Sequence, residues 1–395
     1  MRFDIVVIGA GPAGLSLARS LAGHGLSIAV IERQPEDAIA NPAFDGREIA
    51  LSRRSVAILQ GLDAWRRIPA EDVSALRTAR VLNGGSRRAL CFDPGRGGDT
   101  PLAHLVANHL IRRAVYEAAV EQPDVTILYG TAVTSVAVRE RDADVVLADG
   151  RTLTARLVVA ADTRFSEIRR RMGIPAAMHD FGKVMIVSRV THDRDHHHVA
   201  TEWFEHGHTI AMLPLNGLRS SAVLTDTAAA AERLMAMDAE AFGAEVTRRF
   251  RGRYGPMHLD SKRTAFPLVS VYAEHFVKPR FALVGDAAVG MHPVTAHGFN
   301  FGLSGQDVLS RLVLEAHARG GDIGAMSTLR PYETKHRMAT RPMFLATNAV
   351  ARLYTDERLP ARVAREAAIR LGQGLPMVRG LIVSRLMRRE IAARV

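Results

Sequence analysis

The sequence predicts an α/β fold: a Rossmann-like nucleotide-binding layer, discontinuous along the chain, that carries a mainly antiparallel β domain and ends in a helical tail. Three observations predict it. A glycine turn, Gly9-Ala10-Gly11-Pro12-Ala13-Gly14, joins an apolar run to a helical pattern near the N-terminus. A second turn of nucleotide-handling type, Gly285-Asp286-Ala287-Ala288, follows another apolar run far along the chain. Between the two lie long stretches in which apolar and polar residues alternate with the period of a strand.

Taken in order, residues 3–8 and 27–32 read as strands and 12–24 as the helix between them. Helical patterns follow near 52–61 and 102–121, rich in Ala, Leu and Arg. From 125 to 159 the reading is a β-meander, with Asp149-Gly150 as the hairpin signal, leading into Leu157-Val158-Val159-Ala160-Ala161-Asp162. Residues 183–224 and 262–269 again read as strands, broken by an Ala- and Met-rich helix around 227–250. A strand at 281–284, a glycine-rich turn, a helix to about Arg319 and a helical, arginine-rich tail complete the chain.

Bulk composition narrows the class. The 395 residues, 47% apolar and 24% charged, can build a full core around a large cofactor. No run of 18 apolar residues occurs, and the first strand begins at once with no cleavable leader pattern, so a cytoplasmic location is expected. The one cysteine, Cys91, excludes an intrachain disulfide and a Cys-x-x-Cys redox pair. The net charge of +11 suits nucleic acid, an anionic membrane surface or an acidic substrate, but no nucleic-acid motif accompanies it.

The chemistry lies in the two turns. Gly9, Gly11 and Gly14 allow a tight bend and a close approach of backbone N–H groups to a pyrophosphate at a helix N-terminus. Glu32, with Arg33 beside it, ends the next strand 18 residues beyond Gly14, where a carboxylate can accept from ribose hydroxyls. The segment from Arg280 through Gly285-Asp286 to His292-Pro293 and Gly298-Phe299-Asn300 offers a second carboxylate and a second helix N-terminus. With one full dinucleotide fingerprint, the two turns imply a single long cofactor that spans both.

These residues resemble the single-component flavin hydroxylases typified by p-hydroxybenzoate hydroxylase, and the likeness extends over nearly the whole chain to the hydroxylases of ubiquinone biosynthesis. Asp45-Gly46-Arg47-Glu48-Ile49-Ala50-Leu51-Ser52 is similar to the segment whose arginine, here Arg47, touches FAD; Asn108 in Leu105-Val106-Ala107-Asn108-His109 stands at a flavin-contacting position. Asp162, in Ala161-Asp162-Thr163-Arg164-Phe165-Ser166, matches the aspartate of a motif tied to FAD and to the nicotinamide donor, with Thr163 in place of the usual glycine. Val289 and His297 also depart from the family pattern, as does Lys183, and within the family the chain is most similar to the 5-demethoxyubiquinol hydroxylase branch.

The resemblance implies a Rossmann-like FAD-binding domain at 1–75, 100–175 and 275–330, a substrate-binding domain at 76–99 and 176–274, and a C-terminal helical segment at 331–395. It implies FAD held by Gly9, Gly11, Gly14, Glu32, Arg33, Arg47, Asn108, Asp162, Asp286, Gly298, Phe299 and Asn300, with Asp286 on the ribityl chain. NAD(P)H is the implied electron donor and O2 the co-substrate, with oxygen passing from a flavin hydroperoxide to the electron-rich ring of a polyprenylated phenol or quinol. Pro293 would shape the face where oxygen adds, and His292 and His297 are candidates for assisting phenol deprotonation, although either histidine can equally fill a hydrogen-bonding niche.

Other signals are discounted. His192, His196, His197, His198, His206 and His208 crowd one stretch, but no carboxylate or cysteine spacing fits a standard metal site, so no metal is expected. Trp65 and Trp203 read as packing residues. Leu375, Val378, Leu381, Ile382, Leu386 and Ile391 alternate with Arg379, Arg385, Arg388, Arg389 and Arg394, which suits peripheral contact with the inner membrane through 375–395, or equally a helix packed on the protein. Other ubiquinone-biosynthesis proteins are expected partners. A hydroxylase of small aromatics, a flavin reductase and a non-catalytic FAD-binding subunit are the alternatives that stay open.

Overall fold

The computed structural model describes residues 1–86, 89–93, 101–205, 207–293 and 297–355. Its first layer is a sheet in which Val277–Lys278, Phe281–Leu283, Thr152–Ala160, Arg2–Ile8, Ile28–Ile31 and Val125–Leu128 lie side by side. The last five run parallel. Ile5, Val6, Val7, Ile28, Val30, Leu157 and Val158 have no exposed surface, as expected of parallel strands covered on both faces. Helix Pro12–Leu21 packs between helices Asn108–Val120 and Gly298–Ala318, and Ser20 Oγ donates to Gln306 Oε1 at 3.0 Å.

Register does the functional work. Ile8 lies opposite both Ile31 and Ala160, and Ala160 lies opposite Leu283. The four strands therefore end at one edge, and Gly9, Glu32, Asp162 and Gly285-Asp286 all emerge there, at the carboxyl ends where open α/β sheets bind ligands.

A second, nine-stranded sheet holds Thr264–Ala273, Ala176–His192, Arg219–Thr227, Thr209–Pro214, Val199–Phe204, Thr78–Asn83 and Ala89–Phe92 in order. Its pairs are antiparallel except Val199–Phe204 against Thr78–Asn83. Helices Ala228–Ala236 and Ala239–Arg249 cover one face, burying Trp203, Phe242, Phe250 and Leu224.

Three readings need correction. Residues 102–107 are not helical: Ala103–Ala107 is the middle strand of a three-stranded sheet with Glu48–Leu51 and Ser74–Leu76, and the helix starts at Asn108. Two strand partners outweigh the local helical pattern, and they bury Leu105 and Val106 completely. The meander begins only at Val133–Val138, since Val125–Leu128 pairs parallel with Ile28–Ile31. The helix around 227–250 is two helices, because the Asp238 carboxylate accepts from Ala241 N at 2.7 Å and caps a fresh start. At the other end the described residues finish in helix Met326–Thr355; the segment 375–395 lies outside them.

Candidate active site

At the first turn the glycines have separate tasks. Gly9 has φ +108°, and a Cβ there would lie 2.7 Å from Ala161 O; a Cβ on Gly14 would lie 2.0 Å from Gly9 O. Gly11 differs, because a Cβ on it meets nothing within 4 Å. Two glycines thus close the turn on the protein, and the third faces open space at the start of helix Pro12–Leu21, which has no side-chain cap and no acid in its first turn. Glu32 accepts from Ala10 N at 2.8 Å and Gln34 N at 2.9 Å, which fixes its carboxylate beside the turn. Arg33 is exposed next to it.

Across the sheet edge, Asp162 lies against Gly9 and carries a buried Oδ1 with no protein partner. Burial pushes its carboxyl up, against opposing bonds from Ser166 and nearby backbone N–H groups. An orphaned acceptor at the mouth of a glycine turn matches a ligand hydroxyl. The Gly285–Ala287 turn packs on both helices, since a Cβ on Gly285 would lie 2.9 Å from Ala13 Cβ and one on Gly302 3.3 Å from Gly285 Cα. Asp286 receives Arg164 Nη2 at 3.0 Å, with Arg164 Nη1 donating to Val269 O at 3.0 Å, and the carboxylate stays 41% exposed.

A third group converges on Asp45. Arg47 donates to it from Nε at 3.0 Å and Nη2 at 2.5 Å, and Asn108 Nδ2 donates to Oδ2 at 2.8 Å. Burial pushes the Asp45 carboxyl up, but the bonds and charge of Arg47, with Asn108, outweigh it and hold the carboxyl below the usual carboxylate range. Arg47 also lies over the Phe266 ring at 5.3 Å. Asp45→Asn is expected to weaken FAD binding about tenfold, equivalent to about 1.4 kcal/mol, measured by quenching of flavin fluorescence. Stability contributed by a carboxyl held low is full above its ordinary value and lost as pH falls through the lowered one, so the Asp45 contribution should persist until below about pH 3.9.

Asn300 has its side chain committed to the protein. Its Oδ1 accepts from Ser52 N at 2.9 Å and Ser55 Oγ at 2.6 Å, and its Nδ2 donates to Ala50 O at 2.9 Å. The side chain anchors the start of helix Gly298–Ala318 to the strand Glu48–Leu51, which leaves the backbone of Gly298, Phe299 and Asn300 as the part available to a ligand.

The family model described as FAD binding domain matches residues 2–341. This chain belongs to that family. It is 44% identical over 387 residues to ubiquinone hydroxylase UbiM of Neisseria meningitidis, covering 97% of this chain and 84% of that protein. It is 35% identical over 369 residues to ubiquinone hydroxylase UbiL of Rhodospirillum rubrum, covering 93% and 85%. The fold is similar to that of p-nitrophenol 4-monooxygenase PnpA from Pseudomonas putida, with a TM-score of 0.76 at 18% identity, covering 99% of this chain and all of that one. FAD is therefore the cofactor, and the open space at Gly11 and the orphaned Asp162 oxygen fit it.

Pro293, expected to shape the oxygen face, and His292 and His297, candidates for assisting phenol deprotonation, are near one another in sequence but differ in setting. His292 is buried, its ring edge-on to Phe181 at 4.6 Å; burial, with Arg164 nearby, pushes it down to about 4, so it is neutral at neutral pH. Pro293 is exposed, and His297 precedes helix Gly298–Ala318 with its ring stacked on Phe301 at 5.7 Å. In the histidine-dense stretch, of which His206 lies outside the described residues, His192 Nε2 meets Ser220 Oγ of a neighbouring strand at 2.9 Å and His196 Nε2 meets Leu215 O at 2.8 Å. Among the described residues no group of three His, Cys, Asp or Glu could hold a metal. Asp45, Arg164 and Arg169 were not singled out from sequence. Asp45 had a signal in its Asp-Gly-Arg run, and both arginines follow Asp162 closely in the run that begins at Ala161.

Proposed function

We propose that this protein is an FAD-dependent monooxygenase that hydroxylates the ring of a polyprenylated phenol or quinol in ubiquinone biosynthesis, with a 5-demethoxyubiquinol as substrate and C5, or more than one ring carbon, as the position. The observation that carries the reading is 44% identity to a ubiquinone hydroxylase over nearly the entire chain. Bound FAD would supply hydride acceptance from NAD(P)H and the activation of O2.

The chain's own residues would do the rest. Gly9, Gly11 and Gly14 would bring backbone N–H groups to the pyrophosphate, Glu32 would take the ribose, Asp286 the ribityl chain, and Arg47 with Asn108 would flank the flavin end. Backbone N–H groups at Gly298, Phe299 and Asn300 would stabilise negative charge on the reduced ring. In this reading 1–75, 100–175 and 275–330 hold FAD, while 76–99 and 176–274 cover the substrate. No helix among the described residues is long and apolar enough to cross a membrane. A prenyl tail makes contact with a bilayer surface useful, and the arginine-interleaved segment 375–395 is our candidate for it.

The test is the quinone profile, by mass spectrometry, of bacterial strains each lacking one ring hydroxylase, with this protein expressed and with Asp286→Ala as control. Restored ubiquinone in one strain, lost with the control, assigns the ring carbon. Restoration in several assigns broad regioselectivity. If none is rescued although the protein holds FAD, the ubiquinone assignment falls and a small aromatic becomes the better substrate.

A further inference from the structure

Alternation along strand Val199–Phe204 sends Trp203 into the helix-covered core and turns Glu202 to the opposite face of the nine-stranded sheet. Register fixes what shares that face. Glu202 lies opposite Val81 and Ala211, Ala211 opposite Val223, and Val223 opposite Val187. Val187 is the residue on which Gly46 closes, a Cβ there falling 2.7 Å from Val187 Cγ2. Glu202 therefore faces the side where Asp45, Arg47 and Asn108 gather.

Along this face the cover changes. Ala200, beside Glu202, is packed with Leu213 under Leu102 and Leu105. In the other direction lie Met185, Val187 and Val223 with Phe181 and Phe266, which are only partly buried. Phe181 contacts His292, and Phe266 lies under Arg47. Glu202 stands where closed core gives way to this apolar, aromatic-lined recess, two strands or roughly 10 Å from Val223, and part of its surface stays open.

A carboxyl in such a place is costly without a cation; among the described residues no cation bears on it, and the polar partner that does is the Thr209 hydroxyl. The basic groups of the same face are spent elsewhere, Lys183 Nζ on Gly207 O at 2.8 Å, Arg189 on Glu48 at 2.6 Å and Arg47 on Asp45. His179 and His292 both pack edge-on against Phe181 beside the recess, and His292 is neutral.

We propose that Glu202 is the proton acceptor for the substrate's ring hydroxyl, an assignment that rests on the hydroxylase reading above. The phenolic O–H bond breaks, the proton bonds to a Glu202 oxygen, and the electron pair stays on the ring oxygen, enriching the ring carbons toward an electrophilic oxygen. The proton returns to solvent after product leaves. Burial pushes Glu202 up to about 7, so acid and base forms are both populated near neutral pH, where a general base is most effective.

The test compares parent, Glu202→Gln and Glu202→Leu as FAD-loaded enzymes. Glu202→Gln preserves the bond to Thr209, so FAD content and melting temperature should match the parent. Its kcat/KM for quinol hydroxylation should fall on the order of 10²-fold, and the limb of the pH profile near 7 should vanish. Parent-like kcat/KM with the same limb overturns the assignment. If the parent hydroxylates no quinol, the substrate reading fails separately, and 4-nitrophenol then decides: the pH midpoint at which the bound probe ionises must move between parent and Glu202→Gln, and equal midpoints overturn the proposal.

Discussion

Gly14→Ala is expected to yield a protein that has lost FAD and melts well below the parent. The new methyl carbon would sit 2.0 Å from Gly9 O and 3.2 Å from Ala161 Cβ. Neither can move away cheaply. Gly9 is held at φ +108° with its N–H donating to Ile31 O at 2.8 Å, and it lies so close to Ala161 and Asp162 that a Cβ on it would fall within 3.0 Å of both. The alternative is to lift helix Pro12–Leu21 off the sheet, and Leu15, Leu17 and Ala18 on that helix are fully buried. Overpacking of this kind costs about 3 kcal/mol, and the displaced turn would no longer aim its N–H groups at one point. The flavin-to-protein absorbance ratio and a thermal melt read both effects. Gly11→Ala separates them, since its methyl meets no protein atom within 4 Å: the melt of the apoprotein should equal the parent's while FAD affinity falls. Parent-like FAD content in Gly14→Ala would refute the packing account, and parent-like affinity in Gly11→Ala would mean that the cofactor does not approach that turn.

Those two glycines were legible from sequence because a strand, a turn and a helix leave a local record, and the same holds for Glu32 and for the Gly285-Asp286 turn. What could not be read is what depends on register. That Glu32, Asp162 and Asp286 share an edge follows from Ile8, Ala160 and Leu283 lying opposite one another, which no spacing along the chain encodes. The helical reading of 102–107 failed for the same reason, since its strand partners at Glu48–Leu51 and Ser74–Leu76 are distant in sequence. At Asn300 the resemblance points to a backbone N–H, while three hydrogen bonds to Ala50, Ser52 and Ser55, which commit the side chain to the scaffold, are visible only in the fold. Asp45 gathers Arg47 and Asn108, both of them chosen from sequence; its link to Arg47 lies within one Asp-Gly-Arg run, but the bond from Asn108 is visible only in three dimensions.

Arg169→Met should show that the two carboxylate turns are held in register by one buried cation. Arg169 is 2% exposed, and its Nη1 donates to Arg164 O at 3.1 Å and to Ala287 O at 2.9 Å. It therefore ties the Asp162–Ser166 stretch, whose Arg164 holds Asp286, to the residue that follows Asp286. Methionine fills most of the volume but takes the donor from one buried and one partly buried carbonyl, at roughly 3 kcal/mol in total. The charge is lost as well, and it acts on Asp162: burial lowers the tendency of Arg169 to stay protonated, and the Asp162 carboxylate opposes that. Without the cation, Asp162 should take up a proton more readily, and a neutral acid is a poorer acceptor for a ligand hydroxyl. The variant is expected to melt lower than the parent and to bind FAD more than tenfold more weakly, with the affinity loss growing as pH falls because Asp162 protonates first. Arg169→Lys keeps the charge and one donor, so it should recover the pH dependence while recovering only part of the melting temperature. A variant that melts low yet binds FAD with parental affinity at every pH would show that Arg169 supports the fold alone, and that Asp162 and Asp286 keep their places by the packing of Gly285 on Ala13.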